Sequence, residues 1–113
     1  MKDPVKILKS LSDKNRIRIV KLLEKRKMCV CELAFILGIT QPSVSRHLKK
    51  LKSAGLIKDE QEGFWTNYFL AKPHNLNTRR LIENVCRCLD ENSAIKRDLR
   101  KAMKVNRTKL CCR

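Results

Sequence analysis

Apolar residues recur along this chain with the spacing of α-helices, interrupted once by a stretch that reads as strands. Val5, Ile7, Leu8 and Leu11 give residues 4–11 one apolar side and predict a short first helix. Ser12 and Asp13 are suited to cap a second helix, in which Ile17, Ile19, Val20, Leu22 and Leu23 form a broad face for burial. Arg16, Arg18, Lys21 and Lys25 fall between them and are expected to stay in water. Over residues 29–37, Val30, Leu33, Ala34 and Leu37 stand at i, i+3, i+4 and i+7, which predicts a third helix. Gly38 suits its C-terminal end, because glycine takes the left-handed conformation without a Cβ clash. Thr40 then serves as N-cap, and Pro42 is tolerated in a first turn. Val44, Leu48 and Leu51 predict a fourth helix over about residues 41–54, stopped by Gly55.

Beyond Gly55 the pattern changes. Residues 56–60 read as a strand, 61–63 as a turn, and 64–70 as a second strand rich in aromatic side chains, together a hairpin ended by Pro73. From Leu76 the helical period returns through Leu81, Ile82, Val85 and Leu89, then Ile95, Leu99 and Met103. Two short helices around a Gly-containing turn are the mark of a helix-turn-helix, and a hairpin directly after it makes the winged form. The expected fold is therefore mainly α with a small β-hairpin: five to six helices plus a two-stranded wing, in one domain over residues 1–105. Residues 106–113 are basic and without period, and are expected to form a flexible tail carrying Cys111 and Cys112.

Charge gives this architecture a partner. The chain of 113 residues has 27 Lys and Arg against 11 Asp and Glu, a formal net charge of +16. Such a surplus repels itself unless a polyanion offsets it, and double-stranded DNA is the expected one. With 4% aromatic residues the chain is too poor in rings for a platform that stacks single strands, and with 3 Gly there is no phosphate-cradling loop. No nucleophile–base pair stands out, so an enzyme is not expected. No apolar run is long enough to span a bilayer and no signal peptide is recognisable, so the expected location is the cytoplasm.

The fourth helix carries the DNA-reading residues. With Val44 placed at the core, Arg46, Lys49, Lys50 and Ser43 project between roughly 140° and 260° around the helix, on the opposite side. Thr40, Gln41, Ser43, Ser45 and Arg46 gather at its N-terminal end, which enters the major groove first in such motifs and whose dipole favours phosphate. His47 lies at the edge of the apolar stripe, where packing and DNA contact are both open.

Three separated motifs agree in order and spacing: Leu8, Leu11, Asp13, Arg16, Ile17, Ile19, Val20, Leu22 and Leu23; then Cys29-Val30-Cys31-Glu32-Leu33-Ala34; then Gln41-Pro42-Ser43-Val44-Ser45-Arg46-His47-Leu48 with Leu51. Over about residues 4–71 they resemble the ArsR family of homodimeric winged-helix metalloregulatory repressors. The resemblance implies that Gln41, Ser43, Ser45, Arg46 and His47 contact an operator, and that the first helix joins the C-terminal helices in a homodimer interface. One departure concerns the wing. Family wings often carry basic residues near the tip, whereas this one reads Glu60-Gln61-Glu62-Gly63, which phosphate would repel. Lys58, Thr66 and Asn67 are the better wing contacts.

Six cysteines in a chain expected to stay in the cytoplasm point to soft-metal binding, redox chemistry or burial. Cys29 and Cys31 fall in the first turn of the helix that supports the DNA reader, about 200° apart if that turn is regular, so sharing an ion would deform it. Deformation there offers a route from effector binding to DNA release. The resemblance implies As(III) or Sb(III), which favour three thiolates, as the inducer. The most familiar pattern adds a third cysteine where this chain has Ala34, so Cys86, Cys88, Cys111, Cys112 or a solvent ligand must complete the site. Cys88 shares the apolar side of its helix with Leu81 and Val85 and is expected to be packed, with Cys86 more exposed. Cys111 and Cys112 stand beside Lys109 and Arg113, whose charge favours thiolate. Cd(II), Pb(II) or Zn(II) sensing, a thiol redox switch, and a constitutive DNA-binding protein with structural cysteines are the alternative readings.

Overall fold

The structure, a computed structural model, describes residues 3–105. Six helices and one hairpin follow in the order α1 (Pro4–Leu11), α2 (Lys14–Lys25), α3 (Val30–Leu37), α4 (Gln41–Ser53), β1 (Ile57–Glu62), β2 (Trp65–Leu70), α5 (Leu76–Cys88) and α6 (Ser93–Ala102). This is the winged helix-turn-helix that the periodicity predicts. Local chemistry sets the boundaries: Asp3, Asp13, Thr40, Asn75 and Asn92 each accept a backbone N–H in the first turn of the helix they precede. Gly38 ends α3 at φ 72°, and Gly55 follows α4 at φ 80°, the left-handed region in which a side chain would be strained.

The wing is an antiparallel pair with Ile57 opposite Leu70 and Glu62 opposite Trp65. The first strand reaches farther toward the tip than expected and the second begins one residue later, so Gln61 and Glu62 belong to β1 and only Gly63 and Phe64 turn. The C-terminal segment divides because Asn92 caps a new helix after α5 has ended at Leu89. Helix α6 folds back against α2 and α3 instead of extending the line of α5.

One core holds these pieces. Ile7, Ile19, Leu22, Met28, Leu33, Leu48, Leu51 and Ile57 are at most 2% exposed and bring α1–α4 and the wing together. Three residues expected to stay in water do not. Lys21 is 2% exposed, its ammonium donating to the Cys86 carbonyl at 3.1 Å and pairing with Glu24 and Asp90. Arg16 and Arg18 are half-buried, and Arg18 forms a two-pronged pair with buried Asp98 of α6 at 2.8 and 2.9 Å. Amphipathic periodicity marks which face is apolar, but a cation inside that face survives only through acids that pair with it, here Asp90 and Asp98 from distant segments as well as nearby Glu24. Among the described residues no helix is long and apolar enough to cross a membrane. Residues 106–113, expected to be a tail, lie outside the described residues.

Candidate nucleic-acid interface and thiol pair

Helix α4 is presented by its supports rather than by its own strength. Val44, Leu48 and Leu51 fasten it to the core, leaving Gln41, Ser45, Arg46, Lys49 and Lys50 exposed. The Thr40 hydroxyl oxygen accepts the Ser43 amide at 3.2 Å and its O–H donates to the Ser43 hydroxyl at 3.0 Å. Arg46 donates to that same Ser43 oxygen at 3.1 Å, so the guanidinium is aimed along the outer face before any DNA arrives. Holding a long side chain in advance removes part of the entropy lost on binding.

A cationic groove lies between α1 and α4, lined by Lys6, Lys9, Arg16, Lys49 and Lys50 with no carboxylate among its lining. Lys6 and Lys9 escaped the sequence reading, because their helix precedes α4 by a whole element and only folding lays the two together. The signal that could have found them is the run of lysines on the polar side of α1.

His47 proves to be tied into the scaffold. Its Nδ1 lies 3.4 Å from Arg16 Nη1 and 4.0 Å from the Asp13 carboxylate, and its side chain is 19% exposed. Arginine can only donate, so Nδ1 accepts and the ring proton sits on Nε2. Desolvation lowers the His47 pKa below its ordinary value; Asp13 opposes this, while Arg16, Lys50 and Arg46 add to it. The unfolded chain therefore takes up this proton before the folded one, and the stability associated with neutral His47 falls as pH drops below about 6.5. Asp13 is itself held below the carboxylate range: burial works against it, but the Arg16 and Asn15 amides and the charge of Arg16 outweigh burial. The Asp13 contribution is thus lost only in stronger acid. We expect urea midpoints to decline from pH 7.5 to 5.5 and His47→Gln to flatten that decline; an equal decline in the variant would refute the assignment.

In the wing, Lys58 is exposed, but Asn67 is 4% exposed and donates to Glu62 at 2.6 Å, so it is a packed residue rather than a DNA contact. Thr66 is half-buried and donates to Gln61 at 2.8 Å.

The two thiols of the Cys29-Val30-Cys31 segment are not both in the helix. Cys29 is the N-cap of α3 in extended conformation, at φ −94° and ψ 171°, and Cys31 is the second helical residue. The pair spans the helix boundary, so the 200° separation expected of a regular turn does not apply. Cys29 is 4% exposed, Cys31 half-exposed. Buried Glu32 accepts the Cys29 N–H at 3.0 Å and is itself held by Arg26 at 2.9 Å. Across the turn, Gln41 Nε2 donates to Cys31 Sγ at 3.6 Å, linking the half-exposed thiol to the first residue of α4.

The α5 thiols reverse the expectation. Cys86 is 1% exposed and Cys88 exposed. Burial, then the neighbouring Glu24 carboxylate, push the Cys86 pKa up to about 11, which disfavours the thiolate a soft ion would need. Helix α5 turns Cys86 toward α2, where Lys21 meets its carbonyl. Cys111 and Cys112 lie outside the described residues. Among the described residues no three His, Cys, Asp or Glu side chains gather as a metal site.

Residues 13–59 match the family model described as bacterial regulatory protein, arsR family. The chain is 38% identical over 98 residues to the arsenical resistance operon repressor of Escherichia coli K12, covering 85% of this chain and 84% of that one. It is 35% identical over 74 residues to the cadmium resistance transcriptional regulatory protein CadC of Listeria innocua, covering 65% of this chain and 62% of the relative. Among solved structures, a homodimeric winged helix-turn-helix DNA-binding domain from Mycobacterium bovis superposes with a TM-score of 0.65 at 29% identity, over 77% of this chain and 78% of that one. With an arginine-bearing helix presented on a winged scaffold and a relative matched over most of both chains, this protein belongs to the ArsR family of winged helix-turn-helix, DNA-binding transcriptional repressors.

Proposed function

We propose that the protein is a homodimeric repressor that leaves its operator when As(III) or Sb(III) binds Cys29 and Cys31. The observation that carries this reading is the hydrogen bond from Gln41 to Cys31, which joins a thiol to the DNA-reading helix in one step. A soft ion takes up sulfur lone pairs. Binding at Cys31 therefore competes with the Gln41 amide, and drawing buried Cys29 outward opens the first turn of α3 that supports α4. Ion and operator thus favour different arrangements of one element, which is the requirement for coupling.

In the DNA-bound state Gln41, Ser43, Ser45 and Arg46 lie nearest the bases, with Thr40 at the helix entrance. Lys49 and Lys50, joined by Lys6 and Lys9 of the groove, take phosphates. His47 orients the α4 backbone against Asp13 and Arg16 instead of reading bases. The dimer forms through apolar side chains left exposed on α1 and α5, among them Val5, Leu8 and Leu76.

The Listeria relative, a cadmium resistance regulator, makes Cd(II) the second reading of the inducer, with Pb(II) and Zn(II) as the further soft or borderline alternatives. Following operator binding by fluorescence anisotropy while titrating arsenite, antimonite, cadmium, lead and zinc separates the two. Release by arsenite and antimonite, lost in Cys29→Ser and Cys31→Ser, is the expected result. Normal arsenite release from Cys29→Ser would overturn the sensor assignment, and release by hydrogen peroxide alone would replace it with a redox switch.

A further inference from the structure

The two thiols assigned to the ion are held very differently. Cys31 is half-exposed and meets the Gln41 amide at 3.6 Å. Cys29 is 4% exposed and lies between two fixed points. On one side Met28 exchanges backbone hydrogen bonds with Tyr68 of the wing at 2.8 and 3.2 Å. On the other the Glu32 carboxylate accepts the Cys29 N–H at 3.0 Å, and the capping box they form sets the Cys29 sulfur against the Glu32 amide.

Glu32 cannot hold this position alone. Its side chain is 5% exposed, and a carboxylate so deeply buried needs a cation. Arg26 supplies it at 2.9 Å and also donates to the Ala102 carbonyl at 3.1 Å, where α6 ends. The Arg26 side chain is 40% exposed, so it reaches this carboxylate from the surface. One guanidinium therefore joins the end of α6, through Glu32, to the turn that holds Cys29.

Resting on the arsenic reading above, we propose that Arg26 and Glu32 are positioning residues for ion capture. They keep Cys29 covered, so that Cys31 meets the ion first and Cys29 joins only when the Glu32 clasp opens. At each thiol one As–O bond of As(OH)3 is exchanged for one As–S bond, and the thiol hydrogen leaves with the hydroxide as water, with no change in oxidation state. Cys29 can join only by giving up its capping box, so the second As–S bond opens the turn that supports α4. The clasp thereby sets how much ion release from DNA requires.

Alkylation by iodoacetamide, mapped on the full-length protein by mass spectrometry, reads the covering of Cys29 without any arsenic. In the wild type Cys31 should react faster than Cys29. Arg26→Ala leaves Glu32 buried without its cation, so the carboxylate turns outward and Cys29 should react about tenfold faster, the factor that one hydrogen bond to a charged group controls. Cys31 and Cys86 should stay within about twofold of their wild-type rates, because a local opening spares the rest of the fold. Arg26→Lys keeps a cation beside Glu32 and should hold Cys29 near its wild-type rate. Release of Arg26→Ala from the operator should need about threefold to tenfold less arsenite, since the opening that capture requires is already made. An unchanged Cys29 rate in Arg26→Ala would overturn the proposal, and so would an equal rise at Cys86, the sign of general unfolding. A faster Cys29 with an unaltered arsenite requirement would overturn it too, by separating the clasp from sensing. Failure of arsenite to release the wild type is a different result: it removes the sensor reading, while the alkylation rates judge the covering of Cys29 by themselves.

Discussion

Arg18→Ala should destabilise the protein by about 3 kcal/mol, the lower end of what breaking a buried ion pair costs. The Arg18 guanidinium meets both Asp98 oxygens at 2.8 and 2.9 Å, and Asp98 is 2% exposed. Removing the arginine strands that carboxylate, which must then stay charged without a partner or take up a proton. The same guanidinium also reaches Asn15 at 3.1 Å and the Leu37 carbonyl at 3.4 Å, so the C-terminal end of α3 loses a donor as well. The Arg18 side chain is 17% exposed, and this contact with water is why the lower end applies. Urea unfolding measures the loss. Arg18→Met combined with Asp98→Leu should recover most of it, because the apolar pair leaves no stranded charge. A loss below about 1 kcal/mol for Arg18→Ala would mean that water reaches Asp98 and that the pair behaves as a surface one.

Arg46→Ala should weaken operator binding by about tenfold to a hundredfold, the range for an arginine that makes a two-pronged base contact. Arg46 is exposed, stands on the outward face of α4, and is aimed by Ser43 at 3.1 Å. If it reads a base, its loss should narrow the gap between operator and unrelated DNA. Lys50→Ala offers the contrast: a phosphate contact weakens both kinds of DNA alike and lowers the salt dependence by about one charge. Anisotropy titrations at several salt concentrations, with operator and scrambled duplex, separate the two behaviours. An Arg46→Ala variant that loses affinity equally for both duplexes would move this residue from the bases to the backbone.

Helices α1–α4 and the hairpin were legible because their causes are local: Val44, Leu48 and Leu51 repeat at helical spacing, Thr40 and Asp13 cap, and Gly38 and Gly55 terminate. The outward face of α4 followed from the same arithmetic, since a helix with one buried stripe must expose the opposite one. Position relative to other segments was not legible. Arg18 and Asp98 are 80 residues apart in the chain, and nothing nearby in sequence announces their pairing. The spacing of α2 predicts a solvated Lys21, whereas Glu24 and Asp90 hold it in the interior.

Cys86 and Cys88 show the limit most plainly, for the helical spacing favours Cys88 on the apolar side, whereas the placement of α2 covers Cys86 instead. Likewise the motif Cys29-Val30-Cys31 named the chemistry, while its place astride the α3 boundary and its link to Gln41 arose from the turn between two packed helices. Periodicity and capping act over a few residues. Burial of a charge, exposure of a thiol and contact between a sensor and a reader depend on neighbours that only the folded chain brings together.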